Sequence, residues 1–133
     1  MKTICKVDGQ DFSAIVTAVE QKFNVVEGQN SGYAVHNNRE IRDILGIKIG
    51  HVVTFAADND PKAFDELTDY LFKTVRPSVI VEVVDGQGTL PYEAAYNTGS
   101  RRVAHIDEEN DIVYWDELTV EFRPMENQIN PEE

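Results

Sequence analysis

Cysteine and positive charge are both scarce in this chain of 133 residues. The single cysteine, Cys5, has no partner for an internal disulfide, which favours a reducing compartment or a virus particle. The chain has 12 Lys and Arg against 24 Asp and Glu, a formal net charge of −12. Nucleic-acid binding depends on cations that face phosphates, so this balance excludes a protein that binds nucleic acid directly through a basic surface.

Long apolar runs are absent as well. No window reaches the length of a membrane span, and the N-terminal segment MKTICKVDGQDF lacks the apolar centre of a signal peptide. We therefore expect no membrane partner and no export by a standard signal. Cys5 is expected to be a small core residue, because its strand neighbour Lys6 points to the opposite face and does not activate the thiol.

Motifs that carry catalytic or metal chemistry are missing too. No His-Glu-x-x-His or Cys-x-x-Cys pair exists, and the three histidines are dispersed. The acidic segment from 107 to 111 does not fit a calcium loop, since Glu109 stands at the third position and Ile112 at the sixth, where glycine is needed. A solvated hairpin turn explains it better. We assign no catalytic, metal or cofactor-binding residue and expect a protein that is not an enzyme.

The residues that are present predict one β-rich domain over 1–124 with a single helix at about 60–74. Asp60 and Pro61 form a strong helix start, and Phe64, Leu67 and Leu71 make one apolar stripe. Alternating or β-branched segments predict strands at 2–7, 22–27, 41–57, 79–84, 89–96, 101–106, 112–115 and 118–122.

The strand pattern favours an α+β fold that is mainly antiparallel, arranged as a β-sandwich or a partly open barrel with the helix on one face. The strand at 41–57 contains Gly46 and Gly50, so we expect it to be bent or bulged at a glycine. Residues 12–19 fit either a helical turn or an irregular lead into the next strand.

Acidic residues are concentrated near the C-terminus. Residues 105–133 hold ten carboxylates and one cation, Arg123, and residues 125–133 are expected to form a flexible acidic tail. An interaction surface is predicted here, with two arginines that could pair within the chain or meet the carboxylates of another subunit. Its residues are Arg101, Arg102, Glu108, Glu109, Asp116 and Glu117.

Several segments resemble small tail-module proteins of phages and prophages of Gram-positive hosts. They are Ile41-Arg-Asp-Ile-Leu-Gly46, Phe64-Asp-Glu-Leu67, Thr89-Leu-Pro-Tyr-Glu-Ala-Ala-Tyr-Asn-Thr-Gly-Ser-Arg101 and Tyr114-Trp-Asp-Glu-Leu-Thr-Val-Glu-Phe122. The resemblance implies a fold like that of phage tail-tube proteins and a non-enzymatic structural or assembly role. It also implies contacts with other tail proteins and with copies of the chain itself. The expected location is the bacterial host cytoplasm during assembly and the virion tail.

Two other functions compete with this one. An acidic decoy or inhibitor would bind a basic partner, such as a nucleic-acid-binding protein, and its only support is the net charge. An enzyme or small-ligand module ranks last, because it would need a deep apolar pocket with convergent polar groups.

Overall fold

The structure is a computed structural model that describes residues 3–29, 31–33, 36–58, 60–73 and 76–126. Strands dominate it, with one α-helix, α1, at Pro61–Phe72 and a short 3-10 turn at Ser13–Ile15. The strands are β1 Cys5–Val7, β2 Gln10–Asp11, β3 Val16–Glu27, β4 Gly32–Tyr33, β5 Glu40–Ile41, β6 Ile44–Ala56, β7 Val79–Asp85, β8 Gly88–Ala95, β9 Gly99–Asp107 and β10 Ile112–Pro124.

Eight of these strands form one open antiparallel sheet. Its order is β2-β1-β7-β8-β10-β6-β3, with β9 paired to β10, while β4 and β5 form a separate two-stranded sheet. Strand β10 joins the two halves, because Glu117 to Phe122 pair with β6 and Arg123 and Pro124 pair with β8. The prediction of a mainly antiparallel fold with a single helix is confirmed.

One hydrophobic core draws side chains from both halves of the sheet and from α1. Burying an aromatic or aliphatic side chain of this size contributes about 1.5 to 3 kcal/mol, so this shared core is the main source of stability. Its large members include Val81 and Val83 of β7, Val53 and Phe55 of β6, Leu118 and Phe122 of β10, and Phe64, Leu67 and Leu71 of α1.

Helix α1 begins as the sequence predicts. The Ala63 amide donates to the Asp60 carboxylate at 3.2 Å, and Pro61 occupies the first turn, where no amide partner is needed. The stripe of Phe64, Leu67 and Leu71 is buried. In the part of the chain that the structure describes, no helix combines the length and the hydropathy that a membrane crossing requires.

The third strand begins earlier than expected. The residues before it form the 3-10 turn, in which the Ser13 amide donates to Asp11 Oδ1 at 2.8 Å and Ile15 is buried. The chain then enters β3 at Val16 rather than at Lys22, because pairing with β6 already starts at Phe55. Of the helical turn and the irregular lead that the sequence left open, the structure contains a short helical turn at Ser13–Ile15, and the strand that follows has one register shift between Val16 and Ala18.

The last two predicted strands are one. Residues 112–115 and 118–122 belong to the continuous strand β10, which absorbs the intervening residues through register shifts against β9 at Tyr114, Trp115 and Glu117. Glycine plays its expected role in β6, where Gly46 has a φ of +154° and the register shifts between Val26 and Glu27 opposite it.

The buried thiol agrees with the sequence analysis. Cys5 is fully buried, and burial, with a smaller contribution from Asp11, raises its pKa to about 12. Such a thiol is unreactive at neutral pH. The predicted acidic tail at 125–133 lies outside the described residues beyond Glu126, although the Met125 amide donates to the Glu93 carbonyl at 2.9 Å.

Candidate interaction surface

A two-stranded ribbon extends from the sheet at the turn between β9 and β10. Strand β10 pairs with β9 from Ile112 to Val120, but with β6 only from Glu117 to Phe122. Residues 103–115 therefore lie beyond the end of β6 and are paired only with each other. We call this segment the arm.

The arm exposes large apolar side chains on both strands. Their exposed fractions lie between 39 and 57 %, although side chains of this type are the ones that most often form cores. They are Val103, Ile106, Ile112, Val113 and Tyr114. The Tyr114 ring stacks on that of His105 with 6.0 Å between centroids. A two-stranded ribbon without a core is marginally stable in water, so the arm has the character of a contact surface.

The tip of the arm is acidic. Asp107 accepts from the Asn110 side chain at 2.9 Å and from its amide at 3.3 Å, and these bonds lower the pKa of Asp107. Glu108 and Glu109 stand exposed in the turn. Among the residues that the structure describes, no three His, Cys, Asp or Glu side chains are grouped as a metal site would require.

The base of the arm is occupied by contacts within the chain. Arg102 Nε donates to Asp116 Oδ2 at 2.8 Å, and Arg102 Nη2 lies 3.5 Å from Glu117 Oε1. The Arg101 guanidinium lies 3.5 Å above the centre of the Trp115 ring. Of the two alternatives for these arginines, the structure contains the intramolecular pairing of Arg102.

The six residues of the predicted interaction surface thus fall into two places. Arg101, Arg102, Asp116 and Glu117 lie at the base of the arm, and Glu108 and Glu109 lie at its tip. The sequence analysis predicted the two strands and the turn that connect these places, but not that their apolar side chains are exposed. The alternation of Val103, His105 and Asp107 is typical of any strand, and only the pairing partners show that no core covers it.

A second ribbon extends from the opposite end of the sheet. Beyond the last β10 partner, His51, β6 continues against β3 alone. This ribbon exposes Phe23 of β3 and Ile44 and Leu45 of β6, with 73 % of Phe23 accessible. We call residues 21–27 and 44–50 the second ribbon. It contains no residue of the predicted surface. The cross-strand register decides which side chains of this ribbon are left uncovered.

A basic groove of about 380 Å³ opens where β10 leaves β6 to join β8. Three of the chain's 12 cations line it: Lys22, Lys48 and Arg123, with Phe23 and Glu121 beside them. Lys22 is directly opposite Gly50, and a side-chain carbon at Gly50 would lie 2.8 Å from the Phe122 carbonyl oxygen. Glycine at this position allows β6 and β10 to approach closely beside the groove.

A buried polar chain lies under the groove. Gln21 Nε2 donates to His51 Nε2 at 3.3 Å, and His51 Nδ1 donates to the Tyr92 hydroxyl at 2.8 Å. Burial lowers the pKa of His51, so the ring is neutral at neutral pH, and burial raises the pKa of Tyr92. These bonds link β3, β6 and β8 and hold the two halves of the sheet together.

A further depression of about 640 Å³ lies between the end of α1 and the start of β9. Its lining includes Leu71, Phe72, Tyr96 and Val120, with the Arg101 guanidinium 5.4 Å from the centre of the Phe72 ring. Apolar groups dominate this lining, which suits contact with another apolar surface more than binding of a charged ligand.

Fold and surface together define an open antiparallel β domain with one helix and two projecting ribbons. No protein-family model matches the chain, and no curated protein matches it. Among solved structures, the chain is similar to the Dit protein (gp 19.1) of SPP1, described as a paradigm of the hub adsorption apparatus in phages that infect Gram-positive bacteria. The TM-score is 0.46 with 11 % identity, over 92 % of this chain and 49 % of that protein. This chain therefore spans about half the length of Dit, and a likeness of this size establishes no family.

Proposed function

We propose that this chain is a non-enzymatic structural or assembly protein of a phage or prophage tail that acts through protein–protein contacts. The observation that carries the proposal is the arm, which exposes apolar side chains on both strands and ends in an acidic turn. A solitary domain gains nothing from such a ribbon, whereas a subunit of an assembly can bury it against a neighbour. The segments from Ile41 to Phe122 that resemble tail-module proteins support the same role.

Both ribbons suit assembly for a second reason. The outer edges of β3 and β9 have no strand partner among the described residues, and β3 is 12 residues long. Free edges can pair with a strand of another chain, so proteins that stay monomeric usually shorten or cover them. We infer that these edges contact other tail proteins and copies of the chain itself.

The proposal extends to the shape of the domain and to its location. Because residues from both ends of the sheet share one core, we interpret the sheet as folded over on itself, as in a sandwich or partly open barrel. The chain would act in the bacterial host cytoplasm during assembly and remain in the tail if it is a virion component.

The test is deletion of the coding region from the phage or prophage that carries it. We expect particles without tails or with defective tails by electron microscopy, and recovery when the wild-type chain is supplied from a plasmid. Mass spectrometry of purified virions then separates a virion component from an assembly factor. Normal infectious tails after deletion would exclude the proposal.

An acidic decoy remains a second candidate because the tip carries exposed carboxylates. Two of the acidic residues first assigned to the surface, Asp116 and Glu117, lie beside Arg102, which reduces the charge available to a basic partner. The decoy predicts that Glu108→Lys with Glu109→Lys abolishes capture of a basic nucleic-acid-binding protein. It also predicts that changes to Ile106 and Val113 have no effect on capture, whereas the assembly role requires these apolar residues.

A further inference from the structure

The basic groove stands out in a chain with a net charge of −12. Lys22, Lys48 and Arg123 line it with one carboxylate, Glu121, so the cations are in excess, and in the described part of the chain none of the three forms an ion pair. The Asn97 side-chain oxygen accepts from Arg123 Nη2 at 2.6 Å, in the amide orientation that satisfies both groups, and this acceptor is neutral. The groove is therefore suited to an anionic partner.

The arm of the same protein has the complementary character. Its tip presents Glu108 and Glu109 in an exposed turn, flanked by the apolar residues Ile106 and Ile112. Lys22 and Lys48 share one face of the ribbon formed by β3 and β6, whereas Phe23, the neighbour of Lys22, is 73 % exposed on the other face. The charges of the tip and of the groove have opposite sign.

The positions of these surfaces exclude contact within one molecule. Strand β10 runs from the arm at Ile112 to the groove at Phe122 and Arg123, and ten residues of extended strand span about 33 Å. Both ends belong to one continuous strand of the sheet, so the tip does not fold back to its own groove. A tip that occupies a groove must come from another chain.

We infer that the acidic tip of one copy docks in the basic groove of a second copy. The inference rests on the proposed assembly function and names the partner. The contact is head-to-tail, because different surfaces of the two copies meet, and repetition of such a contact gives a closed ring or an open filament. The carboxylates of Glu108 and Glu109 face Lys22 and Lys48, which lie on one face of the ribbon.

Charge reversal tests the docking directly. The groove variant carries Lys22→Glu and Lys48→Glu, and the tip variant carries Glu108→Lys and Glu109→Lys; Asp107 and Arg123 are kept because they bond to Asn110 and Asn97. Sedimentation of the wild type at increasing concentration gives its association constant. We expect each variant to weaken association by about tenfold or more, because reversed charges repel where the native charges attract.

A chain that carries all four reversals is the decisive variant. Its net charge equals that of the wild type, and its basic tip faces an acidic groove, so association should return to within about threefold of the wild-type value. The matched controls are Lys62→Glu with Arg39→Glu, and Asp58→Lys with Asp65→Lys, all at exposed positions outside the tip and the lining of the groove. The controls should associate as the wild type does. Circular dichroism and thermal unfolding verify that every variant folds.

The remaining outcomes distinguish this contact from association through a different surface. A chain that ends at Glu126 should associate like the wild type, and loss of association on this truncation would assign the groove to the C-terminal segment and overturn the inference. Raising ionic strength from about 0.05 to 0.5 M should weaken the contact. A wild type that stays monomeric, or a fourfold variant that fails to recover, would also overturn it. The deletion experiment on tails judges the proposed function independently of these results.

Discussion

Two hairpins of this molecule follow the same pairing rule and differ in what covers them. In the hairpin of β7 and β8, Val79, Val81 and Val83 are buried to 2 % exposure or less. In the arm, the corresponding apolar positions of Ile106 and Val113 pair across the strands but remain about half exposed. Backbone pairing alone therefore does not create a core, and the uncovered hairpin is the one available to a partner.

Each hairpin contributes a tyrosine to a similar aromatic pair: Tyr92 of β8 pairs with His51 of β6, and Tyr114 of β10 pairs with His105 of β9. His51 and Tyr92 stack in the body of the domain with 5.6 Å between ring centroids, and His105 and Tyr114 stack in the arm at 6.0 Å. The first pair is buried and joined by a hydrogen bond, whereas the second is exposed. These matched residues make the comparison testable by identical substitutions.

The largest difference in stability loss between the body of the domain and the arm is expected for Tyr→Ala. Tyr92→Ala leaves a cavity in the core and removes the hydrogen-bond partner of His51, so it should lower the free energy of unfolding by about 3 to 5 kcal/mol. Tyr114→Ala should cost less than about 1 kcal/mol, because the ring is half exposed. Urea unfolding measures both. Equal losses would mean that the arm is packed as firmly as the body.

A smaller difference in stability loss between the two hairpins is expected for Val→Thr, a substitution that preserves the shape of the side chain and adds a hydroxyl. Val83→Thr buries that hydroxyl in the core and should cost about 1 to 3 kcal/mol. Val113→Thr places it in water and should change stability by less than about 0.5 kcal/mol. Thermal unfolding of the two variants provides the measurement. A large loss for Val113→Thr would contradict an uncovered arm.

The smallest expected effect concerns the dependence of stability on pH. Burial lowers the pKa of His51 in the folded protein below its ordinary value of 6.5, so the unfolded chain takes up a proton first as the pH falls. Stability from this residue is complete above pH 6.5 and declines below it, until the pH passes the folded-state pKa. Unfolding between pH 8 and 5 should show a shallower decline for His51→Gln than for the wild type. An equal or steeper decline for His51→Gln would refute this assignment.

The body of the domain could be predicted from sequence because its signals are local. The cap at Asp60, the stripe of Phe64, Leu67 and Leu71, and the hairpin of β7 and β8 lie where residue pattern places them. The early start of β3 at Val16 was missed, because only its pairing with Phe55 defines it. The candidate interaction surface likewise depends on pairing between strands.

The candidate surface was predicted only in part. Its charged residues were found by composition, but the pairing of Arg102 with Asp116 depends on the register of β9 against β10. The basic groove was missed completely, since Lys22, Lys48 and Arg123 are far apart in sequence and meet only where β10 leaves β6. Sequence patterns describe single strands, whereas this surface is created by the way strands are combined.

The central claim is that the arm serves assembly and contributes little to the stability of the domain. A chain in which residues 104–114 are replaced by Asn-Gly joins Val103 directly to its partner Trp115 through a two-residue hairpin turn. This chain should unfold within about 1 kcal/mol of the wild type, because the removed residues lie outside the core. Supplied to the deletion phage, it should fail to restore tails. A stably folded armless chain that restores normal infectious tails would contradict the account.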